Sequence, residues 1–219
     1  EHHHHKDVYE HSITVLEQAI EHEDRLGGPN LVIRLAALLH DIGKPKTRAF
    51  IEGGGVSFHH HEVVGARLVK KRLEALRFDN DTIEAVELLT TLHLRFHGYG
   101  EGEWTDSAVR RYVRDAGEFI THLHVLTRAD CTTRNTTKAA RLAATYDSLE
   151  ARIAVLMEQE ELSKIRPDLD GEQVMQILNM KPSREVGQAM DFLLELRLEQ
   201  GPIGAEAATK ALLEWWAKR

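Results

Sequence analysis

Disulfides and membrane spans are absent from this sequence of 219 residues, which contains a single cysteine, Cys131, and only 5 prolines. One cysteine cannot form a disulfide within the chain, so the fold must depend on its apolar core. No apolar run approaches the roughly 18 residues that a membrane-spanning helix needs. We therefore expect a soluble, cytoplasmic protein that has no secretory signal and makes no membrane contact.

Positive charge is also in short supply, because 28 Lys and Arg residues face 35 Asp and Glu residues, which gives a net charge of −7. This balance argues against binding nucleic acid through total charge and leaves local basic patches as the alternative.

Strict alternation of apolar and polar residues is almost missing as well, whereas apolar residues recur at spacings of three and four from Val8 to Trp216. This periodicity predicts an all-helical, all-α chain.

Glycine, proline and polar breakers divide this pattern into segments. The predicted helices cover residues 7–26, 31–42, 61–76, 81–94, 107–115, 118–131, 137–165, 171–179, 184–199 and 205–218. Asp170 and Gln173 have the spacing of a capping box at the start of one of them. We predict a larger helical domain at residues 1–136, followed at residues 137–219 by a long connecting helix and a smaller helical tail.

Histidine, by contrast, is abundant: the chain has 14, and four of them are consecutive at His2–His5. This tetrad is either part of an affinity tag or native sequence. The native interpretation is favoured because Lys6 and Asp7 follow at once, without the usual Gly or Ser spacer. We predict no function for the tetrad.

The strongest chemical signal is the neighbouring pair His40 and Asp41, at the end of the most apolar predicted helix. A charged carboxylate in such surroundings is costly unless a metal or strong donors compensate it. Imidazole and carboxylate suit Mn, Fe, Ni, Co or Zn and leave positions open for water. Taken alone, the pair is equally consistent with a solvated helix end, where His40 interacts favourably with the helix dipole.

Four further helices each turn a histidine or an acid inward, onto their apolar stripe. These residues are His11, His61, His93 and Asp130. One inward histidine is more often a hydrogen-bonded core residue than a ligand. Together with the His40–Asp41 pair, however, five separate helices show the feature. A shared metal with its bound water would satisfy these buried groups together, so the sequence predicts a metal site.

This ordered set resembles the HD superfamily of metal-dependent phosphohydrolases, which would make the fold an HD-domain helical bundle followed by the smaller tail. The resemblance implies one divalent metal, or two, chosen from Mn, Ni, Co, Fe, Zn and Mg. The residues it implies as ligands of the first metal are His11, His40, Asp41 and Asp130. It assigns His61 and His93 to catalysis, through a second metal or through contact with the phosphate.

The resemblance can be narrowed to one branch. The segments at residues 6–12, 40–45, 58–66, 127–130 and 169–171 look like the HD-containing C-terminal part of bacterial CCA-adding tRNA nucleotidyltransferases, of the actinobacterial type, and of their poly(A) polymerase relatives. The nucleotidyltransferase signature, a Gly-Ser segment followed by paired acids, does not occur in this sequence. We therefore expect that this chain does not add nucleotides.

The first functional hypothesis is an enzyme that hydrolyses phosphate esters of nucleotides or RNA ends. The resemblance implies 2′,3′-cyclic phosphates, 2′-nucleotides or simple phosphomonoesters as substrates. Lys44, just after the helix, can supply the positive charge that a phosphate needs during water attack, which would make it catalytic. With equal weight, Lys44 is a cation stabilised by a helix C-terminus.

The second hypothesis is a non-catalytic module that holds tRNA for a catalytic head. Basic helical faces could contact RNA phosphates through Arg110, Arg111, Arg114, Arg134 and Lys138. Their acidic neighbours favour solvated faces instead. The two hypotheses can hold together, and the sequence carries no signal for an oligomeric state.

Overall fold

The computed structural model describes residues 8–99, 104–133, 135–160 and 165–219. Within these ranges the chain is helical apart from one two-stranded antiparallel sheet, which confirms the predicted all-α class. No helix in this part of the chain combines the length and apolar character needed to cross a membrane. The His2–His5 tetrad and Arg134 lie outside the described residues.

We number the elements in chain order. They are α1 (Val8–Glu21), α2 (Leu31–Leu39), α3 (Lys44–Thr47), β1 (Ala49–Phe50), β2 (Val56–Ser57), α4 (His61–Ala75), α5 (Asn80–Leu92), α6 (Asp106–Ala116), α7 (Ile120–Ala129), α8 (Thr136–Glu160), α9 (Gly171–Ile177), α10 (Arg184–Gln200) and α11 (Ala205–Trp216). Short 3₁₀ helices lie at Glu23–Leu26, Arg95–Tyr99 and Gly117–Phe119.

Among the helices whose ends are described, two end at least three residues earlier than predicted. The helix predicted at residues 7–26 stops at Glu21 and continues as a 3₁₀ helix. The helix predicted at residues 31–42 stops at Leu39, so the His40–Asp41 pair begins the turn that follows it. Leu26 and Ile42, at the two predicted ends, are apolar and fit the spacing, and for that reason periodicity alone places the boundary too late.

The chain folds into two compact units. Unit 1 comprises residues 1–103 and 116–149, and unit 2 comprises residues 104–115 and 150–219. The chain therefore passes between the units three times, and the last passage falls within α8, after Leu149. The domain boundary predicted at residue 136 stays a prediction.

The core of unit 1 is built around α2, which packs against α1, α5 and α7. Ile33, Ala36 and Ala37 are fully buried, and the two alanines allow the neighbouring helices to approach closely. Asn30 begins the helix, since its side chain accepts a hydrogen bond from the backbone N–H of Ile33 at 3.0 Å. The C-terminal end of α2 is consequently held in the middle of unit 1.

Unit 2 has its own apolar core, formed by α9, α10, α11 and the segment before α9. Val174, Leu193 and Leu212 are among its buried side chains. The predicted capping box is confirmed: the Gln173 backbone N–H donates to the Asp170 carboxylate, and the Asp170 N–H donates to the Gln173 side chain, both at 2.8 Å.

Candidate metal centre

All six side chains predicted as metal or phosphate ligands converge in unit 1. They are His11 in α1, His40 and Asp41 after α2, His61 at the start of α4, His93 after α5 and Asp130 after α7. The four from His40 to His93 are buried, whereas the first and the last are half-buried. The structure thus brings together residues that are up to 119 positions apart in the sequence.

Three of the contributing helices direct their C-terminal ends at this centre. His40, His93 and Asp130 are the C-cap residues of α2, α5 and α7. The C-terminus of a helix carries a partial negative charge, which favours a cation nearby. The three helix ends therefore add negative electrostatic potential at the centre, and this potential favours a bound cation.

Close contact between two backbones fixes the position of His61. Gly43 lies against α4 so tightly that an added Cβ would be 2.1 Å from the His61 carbonyl oxygen and 2.8 Å from the Gly65 nitrogen. No other residue type fits at Gly43 without moving α4. This contact places His61 Nε2 3.2 Å from Asp41 Oδ1.

The ligand atoms form two groups, and within each group they lie within 4.8 Å of one another. In the first, the Nε2 atoms of His11 and His40 lie 2.9 Å and 3.5 Å from Asp130 Oδ1. In the second, His61 Nε2 and His93 Nε2 lie 3.3 Å apart beside Asp41. Each group has the size and the donor types of a divalent metal site.

Asp41 lies between the two groups. Its Oδ1 is near His61 and is 3.9 Å from His93 Nε2. Its Oδ2 is 3.3 Å from His40 Nε2 and 3.5 Å from His11 Nε2. One carboxylate oxygen therefore faces each group, which is the arrangement that a ligand shared between two cations requires.

Backbone hydrogen bonds orient three of the imidazole rings. The Nδ1 atoms of His40, His61 and His93 each lie 2.7–2.8 Å from the carbonyl oxygen three residues earlier in the chain. A carbonyl oxygen only accepts, so each Nδ1 must carry the proton that it donates. In a neutral ring the Nε2 lone pair then points into the centre, as in metal-binding histidines.

Several of these atoms have no suitable partner among the described residues. His40 Nε2 and Asp41 Oδ1 are buried and accept or donate no hydrogen bond there. The facing Nε2 atoms of His61 and His93 would both be acceptors if both rings are neutral. Buried polar atoms without partners are rare in folded proteins. These nitrogen and oxygen atoms fit a divalent cation, which would satisfy them together.

The two carboxylates remain ionised despite their surroundings. Burial opposes the ionisation of Asp41, but its contacts with His40 and His61 prevail and hold its pKa below the usual range. Burial likewise opposes the ionisation of Asp130, and its contacts with His11 and His40 hold its pKa low. Two carboxylates that stay charged side by side, one buried and one half-buried, need compensating positive charge.

His40 and His93 have opposite pKa shifts. Burial would lower the pKa of His40, but the carboxylates of Asp130 and Asp41 outweigh it and raise the pKa to about 10. Burial, together with the charge on His40, lowers the pKa of His93 to about 4. Without a cation, the proton on His40 provides the compensating charge, so a divalent metal has to compete with that proton.

Lys44 lies at the edge of the centre. Its Nζ is 2.5 Å from Asp41 Oδ2 and 5.8 Å from the centroid of the Phe58 ring. This position adds positive charge beside the shared carboxylate. The contact of Lys44 with a phosphate stays a prediction.

Arg110 in unit 2 does not have the surroundings of an RNA contact. The residue is only 5 % exposed, and its guanidinium donates two hydrogen bonds of 2.8 Å to the Glu160 carboxylate. Its Nη1 also donates to the carbonyl oxygens of Leu198 and Glu199, at the end of α10. These contacts speak against the predicted role in binding phosphates and favour a structural one.

The remaining candidate RNA contacts have mixed surroundings. Arg111 donates to Glu195 and Glu199, and Arg114 donates to Asp115. Lys138 is exposed on α8. The roles of these residues and of Arg134 in RNA binding stay predictions.

The structural role of Arg110 leads to a stability prediction. We expect Arg110→Ala to lower the free energy of unfolding of unit 2 by about 2–4 kcal/mol, because it removes both short hydrogen bonds to the half-buried Glu160 carboxylate and leaves that carboxylate the longer contact with Arg197, at 3.5 Å. Arg111→Ala is the matched control, since its ion pairs are exposed and are worth less than about 1 kcal/mol. Urea unfolding followed by tryptophan fluorescence reports on unit 2, which contains all 3 tryptophans. Equal losses in the two variants would contradict the structural role.

Some features of unit 1 were not anticipated from the sequence. Thr132 Oγ1 lies 3.5 Å from His11 Nδ1, and nothing in the local sequence indicates this contact. A cavity of about 460 Å³ is lined by α1 beyond His11, by α8 and by Arg128 and Cys131. The close approach at Gly65 did have a signal, because a glycine inside a predicted helix often marks tight packing.

Comparisons with known proteins agree with this geometry. The HD domain family model matches residues 8–158. The chain is 31% identical over 218 residues to the A-adding tRNA nucleotidyltransferase of Deinococcus radiodurans, covering 98% of this chain and 48% of that protein. It is 35% identical over 191 residues to the CC-adding tRNA nucleotidyltransferase of Thermus thermophilus, covering 85% and 40%. A multifunctional CCA protein of Neisseria meningitidis is 39% identical over 75 residues, covering 34% and 17%. The chain thus spans less than half the length of these relatives.

Proposed function

Since the chain belongs to the HD domain family, we propose that it is a metal-dependent phosphohydrolase acting on nucleotides or RNA ends within a tRNA nucleotidyltransferase-like protein. The observation that carries this proposal is the pair of ligand groups that meet at Asp41. The proposed substrates are 2′,3′-cyclic phosphates, 2′-nucleotides and simple phosphomonoesters. Hydrolysis adds water to phosphorus and breaks the bond to the leaving alcohol oxygen.

The proposed ligands of the first metal are His11, His40, Asp41 and Asp130. The donor set of imidazole nitrogens and carboxylate oxygens admits Mn, Ni, Co, Fe, Zn or Mg. When bound, a divalent cation supplies the Lewis acidity that makes hydroxide available near neutral pH and neutralises a phosphate oxygen.

For His61 and His93, the geometry favours a second metal over direct contact with the phosphate. Their Nδ1 protons are donated to backbone carbonyls, so in the neutral rings each Nε2 offers a lone pair. A lone pair attracts a cation and repels a phosphate oxygen. Asp41 supplies the carboxylate oxygen on the same side.

The remaining chemistry falls to residues of the chain itself. Asp41 orients the rings around it and holds Lys44 at the rim. The Nζ of Lys44 is proposed to turn to a phosphate oxygen when the substrate enters, since an anionic phosphate competes with one carboxylate for the same cation. The buried walls exclude bulk water, which strengthens these charge interactions.

The experiment that tests this proposal is metal reconstitution. Metal-stripped protein is expected to hydrolyse 2′,3′-cyclic AMP and p-nitrophenyl phosphate after addition of Mn, Ni, Co, Zn or Mg, and to lose the activity again with a chelator. His40→Ala should abolish turnover, whereas His59→Ala, which removes an exposed histidine of the same unit, should retain it. No turnover with any metal, in protein with a helical circular dichroism spectrum, would overturn the proposal.

A second candidate function is supported by the relatives. Almost the whole chain aligns with a tRNA nucleotidyltransferase, so it could hold tRNA without hydrolysing anything. In that case tRNA binding, measured by gel shift, should be the same for the wild-type chain and for His40→Ala. The two functions are compatible, because they use different residues.

A further inference from the structure

A small β-hairpin connects two parts of the candidate metal centre. The strands β1 and β2 pair antiparallel, with Ala49 opposite Ser57 and Phe50 opposite Val56. Three consecutive glycines at residues 53–55 have positive φ angles and make the turn. The hairpin follows Lys44 in α3 and leads through Phe58 into His61, so both of its ends join residues of the centre.

The hairpin presents an aromatic ring to solvent. Phe50 is 79% exposed, and Ile51 beside it is 51% exposed. The guanidinium carbon of Arg48 lies 4.9 Å from the centroid of the Phe50 ring, in a cation–π arrangement. Residues 48–55 are exposed, whereas Val56 and Ser57 on the partner strand are half-buried, so the ring belongs to the exposed strand of the hairpin.

Phe58 links the hairpin to the metal centre. The Phe58 carbonyl accepts the hydrogen bond that orients His61, at 2.8 Å. Phe58 is two residues after Val56, and Val56 lies opposite Phe50 in the hairpin. This path limits the distance between the Cα atoms of Phe50 and Phe58 to about 13 Å. One or two nucleotides can cover such a span.

The local charge also suits a phosphorylated ligand. Between residues 44 and 60 there are three cationic side chains, Lys44, Lys46 and Arg48, against one acid, Glu52. The chain as a whole has a net charge of −7, so this positive segment differs in sign from the chain as a whole. Cations beside an exposed aromatic ring are the combination that binds single-stranded nucleic acid.

From these observations we infer that Phe50, backed by Arg48, is a stacking platform for the base of a nucleotide whose phosphate lies at the metal centre. The inference rests on the proposed function. It narrows the proposed substrates to nucleotides and RNA ends, which have a base, and leaves out simple phosphomonoesters. Because every base has a π face, the platform accepts any of the four bases with modest preference.

The test is a binding measurement on the full chain, with a fluorescein-labelled hexa-adenylate that ends in a 3′-hydroxyl. We expect Phe50→Leu to raise its Kd by about 5- to 100-fold, as measured by fluorescence anisotropy. Phe50→Tyr should retain the wild-type Kd, because the substitution keeps the ring. Ile51→Ala, which removes the neighbouring exposed apolar side chain, is the control and should also bind normally. Equal binding by Phe50→Leu and the wild type would overturn the platform.

A second probe separates stacking from simple attraction to phosphates. An abasic hexamer with the same sugar-phosphate chain should bind weakly and should not distinguish Phe50→Leu from the wild type. Loss of affinity for both probes would contradict a role in stacking on bases.

The failure of this inference can be told apart from the failure of the proposed function. The anisotropy assay needs no turnover, so the platform is supported by a Phe50-dependent Kd even if hydrolysis fails. Conversely, an unchanged Kd of Phe50→Leu for the hexa-adenylate, in protein that retains turnover of 2′,3′-cyclic AMP, would overturn the platform and leave the hydrolase intact.

Discussion

Replacing Asp41 by asparagine is expected to remove the bound divalent metal and, with it, the proposed phosphohydrolase activity. The amide keeps the size of the side chain but loses the charge. Of the two carboxylates among the six converging residues, only that of Asp41 places one oxygen near each ligand group. Loss of a residue that merely orients a ligand costs 10–100-fold in metal affinity. For Asp41 itself we expect a loss of more than about 100-fold, measured as metal content after dialysis.

A matched control for this variant is Asp191→Asn, which neutralises an exposed carboxylate on α10. It should retain metal content and turnover. If Asp41→Asn kept its full complement of metal, Asp41 could not be a shared ligand, and the two groups would have to act independently. If it kept metal but lost turnover, Asp41 would serve catalysis rather than binding.

The helical fold was largely predictable because its signals are local. Apolar spacing marks the helices, and the capping box at Asp170 and Gln173 depends on residues three positions apart. The hairpin escaped prediction, since strands of two residues are too short to show an alternating pattern. The ion pair of Arg110 escaped prediction for a different reason: its partner Glu160 lies 50 positions away, and no local pattern reveals such a contact.

The sequence predicts which residues come together in the candidate site but not how their side chains are arranged. A histidine or an acid on an apolar stripe is visible in the sequence, and all six such residues do converge. The sharing of Asp41 between two groups depends on the direction of its two oxygens, which spacing cannot give. The orientation of His61 and His93 likewise depends on carbonyl contacts that only the folded turns provide.

Gly43→Ala is expected to damage the centre without touching any ligand. Its new Cβ would lie 2.1 Å from a backbone oxygen, which cannot rotate away as a side chain would, so α4 has to move and carry His61 with it. We expect the free energy of unfolding to fall by about 3 kcal/mol or more, at the upper end of overpacking effects. Urea unfolding followed by circular dichroism measures this loss, and metal content after dialysis should fall in parallel.

Two other glycines form a graded series with Gly43. In Gly65→Ala the nearest atom is the Thr90 methyl group at 3.3 Å, a side chain that can shift by a few tenths of an ångström, so a loss of about 1 kcal/mol is expected. In Gly187→Ala no atom lies within 4 Å, and alanine should stabilise α10 by about 0.5–1 kcal/mol. This order separates steric contact at the metal centre from the general effect of replacing glycine in a helix. If Gly43→Ala behaved like Gly187→Ala, the tight contact between the turn and α4 could not be what positions His61.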